Sequence, residues 1–506
     1  MESLTTEDTR PAVDGAAASV GRTQHFDVLI VGAGISGVGS AYHMKTQCPD
    51  RSYVVLESQD SFGGTWLSHR FPGIRSDSDL YTFGYRFKPW VGPPIASAAA
   101  IRKYMGDVIE ENGLAQHIRY GHKVQSAVWS SADNRWTITA QNADHQTERF
   151  TANFLWMCQG YYRHEEGYTP DWLGADSFKG VIAHPENWPK DLDYKDKRVV
   201  IIGSGATAAT MAPAMASDAA HVTVLQRSPT YFIAAPNANE FHDQLKPLGL
   251  DDLLVHDLVR RKVVTDMDQI TRRSFEEPEV LSRELLAGVE AFVGPETVAR
   301  HFTPTYRPWR QRIAILPDGD MLQAIQAGTV SMVTDHIDRF VPEGIKLKSG
   351  DVIEADIIAT ATGFNLNVLG DIDFVIDGEP LAFHETITYR GMMFTGVPNM
   401  AWVFGYLRNS WTLRTELVAD FVCRMLNHMT QKGASRVEVT LRPAEHNMPL
   451  GPWIDPENFN GGYIMRGQHL LPQRGDKPEW QHTQDYWTEK NDFPAIHLDD
   501  EVFRYA

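Results

Sequence analysis

An α/β fold with two Rossmann-like dinucleotide-binding domains and a helical insert is predicted by three observations. Two glycine-rich turns each follow an apolar strand-like run and open a helix-like one, and a long charged stretch without strand alternation follows the second. The chain has 506 residues, too many for one ordinary core.

Composition narrows the function classes. With 42% hydrophobic and 22% charged residues the chain reads as globular. A formal net charge of -18, from 47 basic and 65 acidic residues, argues against a nucleic-acid partner, because phosphate backbones want a basic surface. Cys48, Cys158 and Cys423 are dispersed and odd in number, so a disulfide framework is not expected and a reducing cytoplasmic setting is. No C-x-x-C occurs, which removes zinc-ribbon and dithiol redox readings, and no metal is expected. Residues 1–25, rich in Ala, Thr, Ser, Asp and Gly, read as a flexible tail and not as a signal peptide. No apolar run approaches the roughly 20 residues that span a bilayer, so no transmembrane helix is expected.

The first turn lies in FDVLIVGAGISGVGSAYHM, where the apolar run from Phe26 to Val31 has the form of a buried parallel strand. Gly32 allows the tight turn, Gly34 leaves room for a pyrophosphate, and Gly37 lets the following helix press on the strand. The pyrophosphate would sit at that helix N-terminus, where free N–H groups and the dipole favour negative charge. A second apolar run from Tyr53 to Leu56 ends in Glu57, whose carboxylate can accept hydrogen bonds from ribose hydroxyls. Next, Gly63 and Gly64 permit close approach to a flat ligand, and Thr65 and Trp66 stand where a ring system would pack. A turn followed by a core Trp fits those residues equally well. In FPGIRSDSD, Arg75 and Asp77 read as readily as a solvated ion pair.

The second turn lies in KRVVIIGSGATAAT, with Gly203, Gly205 and Ala208 in G-x-G-x-x-A form and Thr207 among them. Its following strand ends in Gln226 and Arg227 where the first copy ends in Glu57. A carboxylate repels the adenosine 2'-phosphate of NADPH, whereas Arg holds it by a bidentate, charge-assisted contact. The first site therefore suits FAD or NAD and the second NADPH. Two later runs, FLWMCQG at 154–160 and DIIATATGF at 356–364, have strand form and are expected near domain crossings; two such nucleotide sites resemble those of two-dinucleotide flavoproteins, and that resemblance implies a second flavin segment here, with Gly363 beside the flavin.

The stretch between the two turns, FKGVIAHPENWP, carries Phe178, Gly180, His184, Trp188 and Pro189 in the pattern F-x-G-x-x-x-H-x-x-x-W-P. That pattern resembles the fingerprint of type I Baeyer-Villiger monooxygenases, and the resemblance runs over nearly the whole chain from Phe26. GGTW, FPGIRSDSDLYTFGYRFKPW, PDGD and PNMAWVFGY are similar to the ethionamide-activating branch. Read without the family, His184 is a satisfied structural histidine and Trp188 a core anchor. The resemblance implies that the linker couples the domains and that FAD, NADPH and O2 take part. In such a cycle NADPH reduces FAD, O2 gives a C4a-peroxyflavin, and one oxygen atom enters a ketone to form an ester or lactone. Protonated, the same species oxidises thioethers to sulfoxides.

Within HFTPTYRPWRQRIAILPDGD, Arg312 matches the family's active-site arginine, and Asp77 matches the carboxylate placed near it. A fixed cation suits the chemistry because Arg stays protonated while negative charge develops on oxygen. Some members place a Lys before that Arg where this chain has Gln311, which leaves more of the NADPH phosphate to Arg227. SWTLRTELVADFVCRML puts Leu413, Leu417, Phe421 and Leu426 near helical spacing, with Ser410 as a cap; related flavoproteins aim such a helix at the flavin. Trp402, Phe404, Tyr406 and Trp411 are candidate substrate-pocket residues. After Arg442 the chain is rich in Pro, Gly, Asn and Trp and is expected to be irregular.

The expected boundaries are a tail at 1–25, the first FAD-domain segment at 26–160, and the linker with the first NADPH-domain segment at 161–235. The helical insert, expected within the NADPH domain, follows at 236–302, then the second NADPH-domain segment at 303–340 and the returning FAD domain with the C-terminal region at 341–506. Two alternatives remain: an enzyme acting mainly on sulfur or nitrogen, and a non-enzymatic FAD- and NADPH-binding redox sensor.

Overall fold

A computed structural model describes residues 23–506, so the expected tail falls almost wholly outside the described residues. Strand β1 (Gln24–Val31) starts two residues earlier than its apolar run and is buried only over its last four residues. It lies between β2 (Tyr53–Leu56) and β3 (Thr147–Met157), parallel to both, with Val31 opposite Leu56 on one side and Met157 on the other. The helix α1 (Ile35–Gln47) connects β1 to β2, supplying the crossover that a parallel pair requires. Beyond β3 an antiparallel meander continues the sheet through residues 135–141 and 123–130. The late chain then returns to it: Asp373–Ile376 pairs with the meander and Met400–Trp402 with β3, giving nine strands.

The second sheet has five parallel strands. At its centre lie β4 (Arg198–Ile202), followed by helix α2 (Ala206–Ala216), and β5 (His221–Gln226). Residues 330–334 and 181–183 form the two edges. Strand β6 (Ile357–Ala359) lies between β4 and the 181–183 edge. This corrects the boundary expected at 340: the second domain holds the chain until about residue 362. The physical reason is that Ile357–Ala359 is buried throughout and fills an interior slot of the sheet. A separate three-stranded antiparallel meander at residues 337–354 covers that sheet, with Phe340, Ile345 and Leu347 packed on Val200, Ile202 and Leu225.

The two crossings between lobes run side by side. Residues Tyr162–Gly167 leave the first lobe and Phe364–Leu366 return to it, paired antiparallel with Phe364 opposite Gly167.

The expected insert is helical, but it is not confined to the second lobe. Helix α3 (Asp252–Glu276) places Val255 and Val259 in the first-lobe core. Its Arg260, 7% exposed, donates to the carbonyls of Tyr81 (2.9 Å) and Gly84 (2.7 Å) and to Glu416 (3.1 Å). Helix α4 (Pro278–His301) instead contributes Val289 and Val298 to the second-lobe core. The insert therefore straddles both lobes, because each helix has its own apolar face and the faces meet different partners.

Helix α5 (Trp411–Lys432) is buried along most of its length and ends on Gly433, whose φ of 67° suits the left-handed C-terminal cap. Ser410 stands at its N-cap position but does not cap; its hydroxyl bonds Thr82 Oγ1 at 2.7 Å. The C-terminal region is more regular than expected, with helices Gly462–Gly467 and Tyr486–Ala495 and a strand at Phe503–Tyr505 paired with Val437–Val439. Among the described residues no helix is long and apolar enough to cross a membrane.

Candidate active site

Both glycine-rich turns open into one cleft of about 1140 Å³ between the lobes. The first turn is built by close approach. Gly32 has φ 99°, and a Cβ there would meet the Cys158 carbonyl at 2.8 Å; one at Gly37 would lie 1.8 Å from the Gly32 oxygen. Gly64, at φ 53°, presses on Gly34, with Thr65 and Trp66 opening the short helix Thr65–Ser68 beside them. Glu57 is 4% exposed and accepts from Ala33 N (2.6 Å) and Gln59 N (2.8 Å). Burial raises its pKa against the lowering effect of these bonds. It keeps carboxylate lone pairs for the cleft it lines. The cradle has room where a diphosphate would run and an acceptor where a ribose would end, so these residues fit an adenine dinucleotide.

The second turn is similar. A Cβ on Gly203 would lie 2.2 Å from the Ala361 carbonyl, whereas Gly205 faces open space with Thr207 beside it and Ala208 buried against the sheet. Gln226 is structural: it is 1% exposed and its amide donates to the His301 carbonyl (2.6 Å) and Thr334 Oγ1 (2.9 Å). Arg227 is exposed and lines the cleft beside Ser204 and Ser228.

The linker residues bind the seam together. Phe178 is buried against Phe340 with ring centroids 6.5 Å apart, and Gly180 passes so close to Asp356 that a Cβ would meet its carbonyl at 2.2 Å. His184 Nε2 donates to the Gly363 carbonyl at 3.0 Å and its Nδ1 accepts from Glu186 N at 3.2 Å, a pattern that fixes the neutral tautomer. The ring lies over Gly167, where any side chain would collide with it. Trp188, followed by Pro189, packs in the second-lobe core with Phe71.

Arg312 and Asp77 meet in the cleft from opposite lobes. The guanidinium grips the carboxylate bidentately, Nε to Oδ2 at 2.5 Å and Nη2 to Oδ1 at 2.8 Å, and adds Ser78 Oγ at 3.1 Å and the Leu407 carbonyl at 2.9 Å. Side-chain exposures of 31% and 32% leave the pair facing the cleft. Burial alone would lower the Arg312 pKa, but Asp77 outweighs it and holds the guanidinium above its ordinary range. Arg75 does not pair with Asp77; it reaches Asp320 instead.

Of the four expected pocket aromatics, Tyr406 and Trp411 line the cleft. Trp402 and Phe404 do not: they are 0% and 1% exposed in the core behind it, packed on Trp453. The wall beside Arg312 is made by residues not singled out from the sequence. Tyr161 stacks on Trp411 (5.0 Å) and Tyr162 (4.4 Å), and Tyr463 lies 4.3 Å from Phe364. The adjacent pair Tyr161-Tyr162 directly after the Gly160 turn was the available signal; aromatic residues are more often core, which hid it. Also unforeseen is the buried pair His69 and Glu186, 3.9 Å apart at the seam. Burial pushes Glu186 up to about 8, and burial, with His164 and His184 adding to it, pushes His69 down to about 3.

Comparison with known proteins agrees with this geometry. Residues 30–90 match the NAD(P)-binding Rossmann-like domain and residues 93–246 the flavin-binding monooxygenase-like family. The chain is 43% identical over 489 residues to the FAD-containing monooxygenase EthA of Mycobacterium tuberculosis, covering 96% of this chain and 98% of that protein. It is 39% identical over 486 residues to the probable FAD-binding monooxygenase AlmA of an Acinetobacter species, covering 95% and 96%. Its fold is that of an oxidised steroid monooxygenase bound to NADP, with a TM-score of 0.74, 21% identity, and coverage of 95% and 99%. Two glycine-rich cradles opening on one cleft, joined to full-length relatives at this identity, make the chain a member of the flavin-binding monooxygenases.

Proposed function

We propose that the protein is an FAD-dependent, NADPH-driven Baeyer-Villiger monooxygenase, which inserts one atom of O2 into ketones to give esters or lactones and also converts thioethers to sulfoxides. The observation that carries this reading is the Arg312–Asp77 pair facing the cleft where both glycine-rich cradles open. FAD fits the cradle of Gly32, Gly34, Gly37, Glu57, Gly64, Thr65 and Trp66, in keeping with the names of the relatives; NADPH fits that of Gly203, Gly205, Thr207, Ala208 and Arg227. FAD, once reduced by NADPH, supplies the chemistry that activates O2.

The chain's own residues do the rest. The N-terminus of α1 neutralises phosphate charge, and that of α5, entering the cleft at Trp411, favours negative charge on the ring system. Arg227 holds the 2'-phosphate. Arg312 remains protonated and stabilises the ketone oxygen as it takes up negative charge, while Asp77 fixes the guanidinium plane and takes no proton. A second activity on sulfur is favoured by the phenol of Tyr463, which lines the cleft and which burial keeps protonated; the Tyr161 hydroxyl donates to Tyr162 instead. A proton donor there suits an electrophilic oxygen.

Arg312→Ala tests the reading. Flavin reduction by NADPH is expected to survive in stopped-flow traces, while ester formation falls by about a hundredfold or more. Undiminished ester yield would remove Arg312 from the mechanism. Paired ketone and thioether substrates, scored by product mass, set the balance of the two activities.

A further inference from the structure

The guanidinium of Arg312 has five N–H groups. Four are engaged: Nε and one Nη2 hydrogen on Asp77, the other Nη2 hydrogen on Ser78, and one Nη1 hydrogen on the Leu407 carbonyl. The remaining hydrogen is on Nη1, so the only N–H that Arg312 can offer to a bound carbonyl shares its nitrogen with the bond to Leu407. Its direction follows from the guanidinium plane, which Asp77 on one edge and the Leu407 carbonyl on the other fix together.

Leu407 lies in the segment Phe404–Leu407, which has neither helix nor strand around it. Side chains from the C-terminal region hold it instead. Gln484 Oε1 accepts from Leu407 N at 2.6 Å, and the Gln484 amide nitrogen reaches the Gly405 carbonyl (3.4 Å) and His482 Nδ1 (2.6 Å). Glu489 accepts from the Tyr406 hydroxyl at 2.5 Å and from Arg414 Nε at 2.9 Å, and Arg414 Nη1 binds the Phe404 carbonyl at 3.1 Å. Gln484 and His482 are 8% and 5% exposed, and Glu489 and Arg414 are 2% and 0%. Burial, reinforced by Arg414, keeps His482 neutral, so its Nδ1 is available to orient the Gln484 amide. Gln484 itself has φ 57°, a left-handed backbone that side-chain-bearing residues other than Asn and Asp seldom adopt and that surrounding structure must hold in place.

We propose that Gln484 is a positioning residue for the oxygenation step: through the Leu407 backbone, whose N–H it holds and whose carbonyl Arg312 binds, it aims the one free N–H of Arg312 at the substrate carbonyl. The proposal rests on the reading of Arg312 given above. It assigns part of the C-terminal region a function, as the back support of a catalytic cation supplied by the second lobe.

Three variants test it in the intact holoenzyme. Gln484→Leu removes the acceptor at similar volume; Gln484→Asn keeps the amide but withdraws it by one methylene, a milder change to the fold; Gln484→Glu keeps an oxygen in place. For the first two, flavin reduction by NADPH is expected to stay within about twofold of the parent, while ester formed per NADPH oxidised falls about tenfold, because misplacement of this size acts on the reacting geometry. Calorimetric Kd for benzamide, an unreactive carbonyl ligand, is expected to rise about fivefold in both. Gln484→Glu, whose buried carboxyl is held protonated and so keeps an acceptor for Leu407 N and a donor for His482 Nδ1, is expected to recover most of the coupling. Parent-like coupling in Gln484→Asn overturns the proposal, as does an equal fall in flavin reduction and coupling, which a merely structural role would give. Arg312→Ala separates the two readings: retained ester formation there overturns the role of Arg312 itself, whereas lost ester formation there with normal coupling in Gln484→Asn overturns only the role of Gln484.

Discussion

Glu186 sits between the fingerprint residues His184 and Trp188, with one carboxyl oxygen lacking a hydrogen-bond partner and His69 too distant to supply one. Burial holds its proton up to about pH 8 in the folded chain, against 4.5 for the free side chain. Below 4.5 both states are protonated and the group costs nothing. As pH rises from 4.5 toward 8 the unfolded chain ionises freely while the folded one cannot, so stability is lost through that window and levels off above 8. At about 1.4 kcal/mol per pH unit the loss has a ceiling of about 5 kcal/mol, which relaxation reduces. Glu186→Gln should therefore melt with the parent at pH 5 and above it at pH 9. Coincident melting curves at both values would show that Glu186 ionises without cost. Such a residue was not legible in the sequence, because a Glu in a proline-flanked turn carries no sign of burial. Arg312 and Asp77 were legible only through the family resemblance; 235 positions separate them, and composition alone left Asp77 with Arg75. The structure gives Arg75 to Asp320, through a short bidentate contact.

At the scale of elements, the strands and helices around both glycine turns could be read from local pattern, since each apolar run and the turn after it are contiguous. Partnership could not. Strand β6 shows its form in ATG-terminated apolar residues, but nothing local says which sheet has the vacant slot. The same holds for α3, whose contact with the first lobe depends on Arg260 reaching the Tyr81–Gly84 turn and Glu416. Removing one member of such a buried pair leaves an uncompensated charge, so Arg260→Met is expected to lower stability by about 3 kcal/mol in urea titration. Adding Glu416→Leu should restore much of the loss. If the double variant were no more stable than the single one, the carbonyl contacts and not the charge pair would hold α3 in place.

Across the whole molecule, two nucleotide lobes share one cleft, and the seam between them is stitched at His184, whose Nε2 hydrogen ends on the returning crossing at Gly363. His184→Ala is expected to slow NADPH oxidation and oxygenation together by about tenfold, with FAD content and melting temperature near those of the parent. A matching loss of FAD would reduce His184 to packing. The two-lobe plan was legible because both fingerprints are short and self-contained. The site was legible in part: its cation and its cradles follow motifs, whereas its aromatic wall and the support behind Leu407 are assembled from segments far apart in the chain, 77 positions in the case of Leu407 and Gln484.

The antiparallel pairing of Tyr162–Gly167 with Phe364–Leu366 also bears on how the protein comes apart. Since the two joining strands are hydrogen-bonded to each other and α3 adds a further link between the lobes, severing the backbone between residues 168 and 177 breaks only one of these tethers. A protease cut there should yield two pieces on a denaturing gel that still elute as a single species under native conditions.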